Sequence, residues 1–462
     1  MNEYECFLER KKQSSDNFGF KPKYIPDFLF DFQKSLVEWS IEKGRSAIFA
    51  DCGLGKTPMQ LVIAQNILEE TNKPVLIITP LAVSMQTVLE ANKFNIDVER
   101  SSDGKFSGKK IVVTNYERLH NFNASDFAGV ICDESSILKN FKGHIKHDIN
   151  IFMRKIKYRL LTTATAAPND FIELGNSSEA LGYLGFMDML NRFFKNDQNN
   201  CDTKGNRGRF TEQVKWRLKG HAHSHFWKWI TSWARACRKP SDLGFSNDNF
   251  ILPKLNVFNH ELKLPGFCLD GFFPEFAVTA IGMDEVRKEV RATIKDRVNK
   301  TLEIVESKND YSVIWCNLNE EGDLLEKSIK GSVQVSGKDT DESKERKLIA
   351  FSKGEYKTMI IKPKIGAFGL NWQHCNNVIF FPTYSYEQYY QAIRRCYRFG
   401  QKREVNVDVI YSEGLGNVVF NLERKQKQAE EMFQELVNEM NNSISIDKDK
   451  IYNAKEEIPS WL

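Results

Sequence analysis

The stretch Ala50-Asp51-Cys52-Gly53-Leu54-Gly55-Lys56-Thr57 constrains this chain more than any other. A short apolar run, residues 46–49, precedes it, and an apolar-periodic segment, residues 59–68, follows. The pattern reads as strand, glycine loop, helix. Gly53 and Gly55, with Leu54 between them, let backbone N–H groups curl around an anion, and a helix N-terminus adds partial positive charge. Lys56 is placed to reach the β- and γ-phosphates of a nucleotide, and the Thr57 hydroxyl to ligate Mg²⁺. Pro58 suits a first helical turn, where its missing N–H costs nothing. Ala50 stands where the strict form of this loop has its first glycine.

The rest of the chain must supply a sheet for that loop. With 462 residues it has room for two or three domains, and 41% hydrophobic residues at a mean hydropathy of −0.46 fit a soluble globular protein. Lys and Arg number 65 against 61 Asp and Glu, a net +4, so affinity for a polyanion has to come from local patches. Nine cysteines are scattered without a C-x-x-C pair, which argues for reduced thiols, a cytoplasmic location and no zinc framework. Glu3, Glu5 and Glu9 in an N-terminus without an apolar core exclude a signal peptide, and no run approaches the ~18–20 apolar residues of a membrane helix.

From residue 46 a rhythm sets in of short apolar runs followed by polar or glycine-rich turns. The runs at 46–49, 75–79, 111–114, 130–132 and 159–163 predict an α/β doubly wound parallel sheet. Unusual residues follow each run, where such sheets bind ligands. Between 171 and 250 the rhythm breaks into a basic, mostly helical stretch. It returns at 312–316, 332–335, 358–361, 378–381 and 406–411, after an extended connector at 252–264 and a long charged helix at 284–307. The expected division is a first lobe at 1–170, a helical basic insertion at 171–250, a second lobe at 251–420, and a C-terminal helix and tail at 421–462. That last helix is expected to pack on the second lobe.

Residues 129–134, Gly-Val-Ile-Cys-Asp-Glu, supply the second acidic element such a loop requires. Asp133 would hold the metal, and Glu134 would orient and deprotonate an attacking water. Farther on, Arg395 and Arg398 are spaced i, i+3 and share a helix face. Two guanidinium forks aimed together suit a polyphosphate, and a solvated basic face or salt bridges to neighbouring acids would show the same spacing.

In order, these segments resemble the motifs of superfamily 2 helicases over roughly residues 25–415. Gln33 resembles the adenine-reading glutamine, residues 50–57 motif I, Thr79-Pro80 motif Ia, 114–117 motif Ib, 133–136 motif II and 163–165 motif III. Residues 313–317 resemble motif IV, 366–371 motif V, and 391–401 motif VI. Residues 398–401 and 114–117 are most similar to Swi/Snf-like DNA translocases. Segments 215–221, 371–376 and 386–390 look like helicases encoded by phages and prophages. Motif II ends Ser135-Ser136 where Swi/Snf relatives usually have histidine, Arg394 stands where Asp is frequent, and Ala164 replaces a common glycine.

The resemblance implies two RecA-like lobes closing on ATP and Mg²⁺, and a cytoplasmic, monomeric enzyme with DNA, duplex or single-stranded, as its partner. Other phage replication or recombination proteins are the implied further partners. Gly369 would touch the nucleotide; Gln391 would join Lys56, Asp133, Glu134, Arg395 and Arg398 in the chemistry. Thr79, Pro80, Thr114, Asn115 and Asn371 would touch the nucleic-acid backbone, which positions a strand without reading its sequence. Residues 191–240 add twelve basic side chains against three acidic ones, interleaved with Trp216, Trp227, Trp229 and Trp233. Lys215, Arg217 and Lys219 are its expected phosphate contacts, and Trp227, Trp229 and Trp233 are expected in a core. His221, His223 and His225 alternate, with no cysteine or acidic partner nearby to complete a metal site. An RNA helicase, or an ATP-switched scaffold for a partner enzyme, would use much of the same machinery.

Overall fold

The computed structural model describes residues 17–108, 110–139, 144–196, 216–247, 250–263, 283–366 and 371–450. They form two compact units. One comprises the chain up to Thr79, Thr87–Ser246 and the chain from Glu431 onward; the other comprises Pro80–Gln86 and Asn247–Glu430.

In the first unit, helix α1 (Asp31–Lys43) leads through Gly44, at φ +71°, into strand β1 (Arg45–Ala50). Helix α2 (Lys56–Thr71), β2 (Val75–Thr79), α3 (Leu81–Lys93, of which Leu81–Gln86 fall in the other unit), β3 (Val98–Arg100), β4 (Ile111–Asn115) and β5 (Gly129–Asp133) follow. Next come α4 (His144–Arg154), β6 (Tyr158–Thr162), α5 (Leu174–Leu181), α6 (Phe186–Phe193) and a small hairpin of β7 (Phe194–Asn196) and β8 (Trp216–Leu218). Helix α7 (His223–Thr231) and strand β9 (Ala234–Cys237) complete the main body of the unit. The sheet order is β3-β4-β2-β5-β6-β1-β9, with every pair parallel. Strands β2, β4, β5 and β6 are buried along their whole length. Continuous apolar runs such as Val75-Leu76-Ile77-Ile78 are what a sheet covered on both faces selects.

The stretch read from sequence as a helical insertion supplies this sheet with its edge strand. β9 pairs with Ala47–Ala50 of β1, and the Asp51 N–H donates to the Cys237 carbonyl at 2.9 Å. Trp233 is fully buried beneath β1, edge-on to Phe49 at 6.3 Å and stacked on Tyr183 at 6.2 Å. Trp227 is buried as well, while Trp216 and Trp229 pack partly buried against the same core. So these tryptophans build a core, and the strand they bring along holds the start of the glycine loop.

The second unit holds β10 (Leu255–Leu262), α8 (Met283–Ala292), α9 (Ile294–Lys308), β11 (Ser312–Trp315), α10 (Asn319–Ser328), β12 (Ser332–Val335), α11 (Asp341–Ser352) and β13 (Thr358–Ile361). A single turn, α12 (Pro363–Gly366), leads to β14 (Asn377–Phe380), α13 (Tyr386–Ile393), β15 (Val405–Ser412) and α14 (Gly416–Lys450). Its six strands are parallel in the order β10-β15-β14-β11-β13-β12. Each unit therefore has the doubly wound parallel arrangement of a RecA-like lobe. The expected connector at 252–264 is a full edge strand, β10. The final helix departs from expectation: Val418 and Leu422 sit in the second unit's core, whereas Met432, Phe433, Leu436 and Val437 sit in the first unit's. Arg238 also lies over the Phe433 ring at 4.5 Å.

Candidate functional site

The carboxyl edge of the first sheet gathers the glycine loop and both acidic residues. Gly53 and Gly55 have φ of +90° and +75°, conformations glycine adopts without strain, and Gly55 caps α2. A Cβ at Gly55 would lie 2.3 Å from Gln33 Nε2. Gln33 packs that close because its Nε2 donates to the Leu54 carbonyl at 2.8 Å, while its Oε1 accepts from Phe30 N at 3.0 Å. The glutamine expected to read adenine thus also fastens the loop. Lys56 folds back, its Nζ donating to the Ala50 carbonyl at 3.0 Å. Thr57 follows it in the first turn of the helix, half-buried.

Asp133 is buried and its Oδ1 is held from two sides. Gln60 Nε2 donates to it at 2.6 Å and Thr162 Oγ1 at 2.9 Å, while Gln60 also donates to Thr162 Oγ1 at 2.5 Å. This closed triangle sets the carboxylate rotamer before any cation arrives. Gln60 lies one turn beyond Lys56 on α2, so one helix face serves both the loop lysine and the acidic residue. Sequence reading passed over Gln60 and Thr162; an amide on the lysine's own face was the available signal. Burial pushes the neighbouring Cys132 thiol up to about 12, which keeps it neutral beside the carboxylates.

Glu134 is buried and sits at φ +49°, in left-handed backbone that costs a non-glycine residue about 1–2 kcal/mol. Thr163 Oγ1 donates to Glu134 Oε2 at 3.4 Å and accepts from Thr165 N at 3.0 Å. Consecutive threonines at the end of β6 therefore orient consecutive acids at the end of β5. The Tyr116 hydroxyl donates to the Asp133 carbonyl. The residues fit a magnesium nucleotide: a turned glycine loop on a helix N-terminus, an ammonium resting on a backbone carbonyl, and a preset carboxylate.

The expected nucleic-acid contacts divide. Thr79 and Asn115 are register partners at the ends of β2 and β4, and Thr79 Oγ1 donates to the Thr114 carbonyl at 3.4 Å. Thr114 Oγ1 and Asn115 Oδ1 are buried without a hydrogen-bond partner among the described residues. Pro80 opens α3, its carbonyl accepting from Val83 N at 2.9 Å. Arg217 is exposed on β8. Lys219, by contrast, caps α6, donating to the Asn191 and Arg192 carbonyls at 2.8 and 3.0 Å. His223 accepts from Trp227 Nε1 at 3.2 Å, and no metal-holding cluster occurs among the described residues. Lys215 and Gly369 lie outside the described residues.

In the second unit, Arg395 is buried, its Nη2 donating to Gln391 Oε1 at 2.8 Å and its Nε to the Gln391 carbonyl at 3.3 Å. The helix ends at Ile393, so Arg395 and Arg398 lie in the turn beyond it and do not share the helix face their spacing suggested; Arg398 is half-buried. Their mount is tight: Gln401 Nε2 donates to the Gln373, Cys375 and Cys396 carbonyls at 2.9, 3.1 and 3.2 Å, while its Oε1 accepts from Lys402 N and Arg403 N. Trp372 N donates to the Arg395 carbonyl at 2.9 Å, tying the loop that begins with Asn371 to the arginine segment. Below it, fully buried Arg297 and Glu321 pair at 2.5 Å, and Glu321 Oε2 accepts from Asn317 N and Leu318 N at 2.7 and 2.9 Å. No helix among the described residues is long and apolar enough to cross a membrane.

Residues 287–400 match the helicase conserved C-terminal domain family. The protein YwqA of Bacillus subtilis (strain 168), described as an ATP-dependent helicase/translocase, is 23% identical over 457 residues. The match covers 88% of this chain and 49% of that protein, so the chain spans about half the length of its curated relative. The Sulfolobus solfataricus SWI2/SNF2 ATPase core in complex with dsDNA is 18% identical with a TM-score of 0.41, covering 85% of this chain and 90% of that one. The chain is thus similar to the helicase C-terminal family over residues 287–400, within its second unit, and to a helicase/translocase over most of its length.

Proposed function

We propose that this chain is a DNA-stimulated ATPase of superfamily 2, a translocase or helicase of the Swi/Snf-like branch. The observation that carries this reading is the constellation on the first sheet's carboxyl edge. Lys56, the Gln60–Asp133–Thr162 triangle and left-handed Glu134 converge there, in a chain whose second unit matches a helicase domain. Bound Mg²⁺ would offset the negative charge of the phosphates. Lys56 would exchange the Ala50 carbonyl for a phosphate oxygen. Asp133, with Thr57, would hold the cation, and Glu134, steadied by Thr163, would take the proton from the attacking water. Gln33 and the loop residues Gly53, Leu54 and Gly55 would seat the nucleotide. Gln391, Arg395, Arg398 and Gly369 are assigned to the phosphates by their resemblance to motifs V and VI.

Thr114 supports the nucleic-acid assignment, since its buried hydroxyl has no partner among the described residues and could donate to a phosphate oxygen, relieving its desolvation penalty. Thr79, Pro80, Arg217 and Asn371 complete the proposed backbone contacts. The similarity of residues 215–221, 371–376 and 386–390 to phage helicases supports a role in phage replication or recombination, as a monomer in the bacterial cytoplasm.

The test is ATP turnover with duplex DNA, single-stranded DNA and RNA in parallel. DNA should stimulate turnover most, and Lys56→Ala and Glu134→Gln should abolish it. Stronger stimulation by RNA would reassign the substrate. DNA binding with no turnover above the uncatalysed rate would make the chain a scaffold instead. Full activity in both variants would sink the site.

A further inference from the structure

We propose that Tyr116 is the positioning residue that couples polynucleotide contact at Thr114-Asn115 to the hydrolytic acid Glu134. The inference rests on the function proposed above. Thr114 and Asn115 end β4 and Tyr116 opens the 3-10 turn that follows; the first two carry buried polar atoms without a partner among the described residues. Strand β4 does not adjoin β5; β2 stands between them, so the two ends are about 10 Å apart at ordinary strand spacing. The Tyr116 ring crosses that gap, and its hydroxyl donates to the Asp133 carbonyl, 3.7 Å from Cys132 Sγ.

That carbonyl belongs to the peptide joining Asp133 to Glu134. Rotating this peptide plane is the motion that changes φ of Glu134, the residue held at +49°. A single hydrogen bond to the plane is comparable in size to the cost of that backbone conformation. The phenol therefore grips the element that aims the acid. A phosphate oxygen accepting from the Thr114 hydroxyl or the Asn115 amide nitrogen shifts the end of β4, and Tyr116 transmits the shift without touching nucleotide or nucleic acid. Two sites with one shared mechanical element meet the requirement for a coupling free energy.

Tyr116→Phe removes one oxygen and keeps the ring. For the full chain with a short blunt duplex DNA, the ratio of stimulated to basal ATP turnover should fall about tenfold, a coupling loss within the usual range for linked sites. The Kd for DNA and KM for ATP should stay unchanged, and the melting temperature should fall only by the small amount one lost hydrogen bond requires. Asn115→Ala should lose the same stimulation and weaken DNA binding, and the double variant should be no worse in stimulation than either single one. Hydrogen exchange gives an independent readout: duplex DNA should alter protection of the 131–134 amides in the wild type and not in Tyr116→Phe. Wild-type stimulation ratios in Tyr116→Phe, or losses that multiply in the double variant, would overturn the coupling alone. A parallel fall of both rates with the melting temperature would make Tyr116 merely structural. Absence of any stimulation in the wild type would instead overturn the proposed function, and the coupling with it.

Discussion

The two units share an architecture and treat their functional edges in opposite ways. On the first sheet, two groups past the strand ends are held reversibly or at a cost: Lys56 rests on a backbone carbonyl and Glu134 sits in left-handed backbone. On the second, Gln401 makes five hydrogen bonds to backbone, and Glu321 joins two helices and a strand end by accepting from Arg297, Asn317 and Leu318. One edge is poised to exchange partners; the other is a rigid mount for Arg395 and Arg398. The difference teaches that a shared fold does not distribute backbone strain evenly: it falls on the acid expected to handle the proton and not on the arginines expected to meet the phosphates.

Stability should therefore break at the second edge and activity at the first. The largest effect is expected from Arg297→Ala, which leaves Glu321 charged and buried; unfolding by denaturant should show a loss of about 3–5 kcal/mol. Glu134→Gln should cost about 3–4 kcal/mol of transition-state stabilisation in ATP turnover and leave the melting temperature in place. Gln401→Ala orphans three carbonyls and should cost about 1–3 kcal/mol of stability, again in the second unit. Thr162→Val removes one of the two donors to Asp133 and should raise the Mg²⁺ concentration for half-maximal turnover by a few-fold, equivalent to about 1 kcal/mol. The smallest effect concerns pH. Burial, then Arg403, holds the His374 imidazole below its usual 6.5, so it protonates at lower pH folded than unfolded. The unfolded chain takes up the proton first, so stability present above pH 6.5 is lost as pH falls below it. His374→Phe, which keeps the edge-on packing against Tyr311 and Phe351, should flatten that dependence in melting curves.

Much of the fold is legible because buried parallel strands read as plain apolar runs. Residues 75–79, 332–335 and 358–361 fall on β2, β12 and β13 to the residue, and the remaining expected runs fall within a residue of their strands. β9 escaped because Ala-Arg-Ala-Cys is short and sits amid tryptophans and basic residues. β10 escaped because Leu-Asn-Val-Phe-Asn-His-Glu-Leu is a half-exposed edge, with Val257 and Phe258 open to solvent. In the candidate site, local motifs mark Lys56, Asp133 and Glu134. The residues that orient them are not local: Gln60 and Asp133 are 73 positions apart, and Thr163 and Glu134 are 29. Nor does basic composition reveal that Lys219 and Arg238 are already engaged within their own unit.

The late arrival of β9 has a consequence for how the protein can be cut and how it emerges from the ribosome. A fragment ending near residue 170 would contain every nucleotide motif of the first unit and still leave Ala47–Ala50 as a raw margin, with Phe49 stripped of its Trp233 lid. Such margins recruit other chains. During synthesis the glycine loop must wait for some 180 further residues before its own strand is sealed. Excised short of that point, the nucleotide-binding motifs are expected to aggregate before they can bind anything.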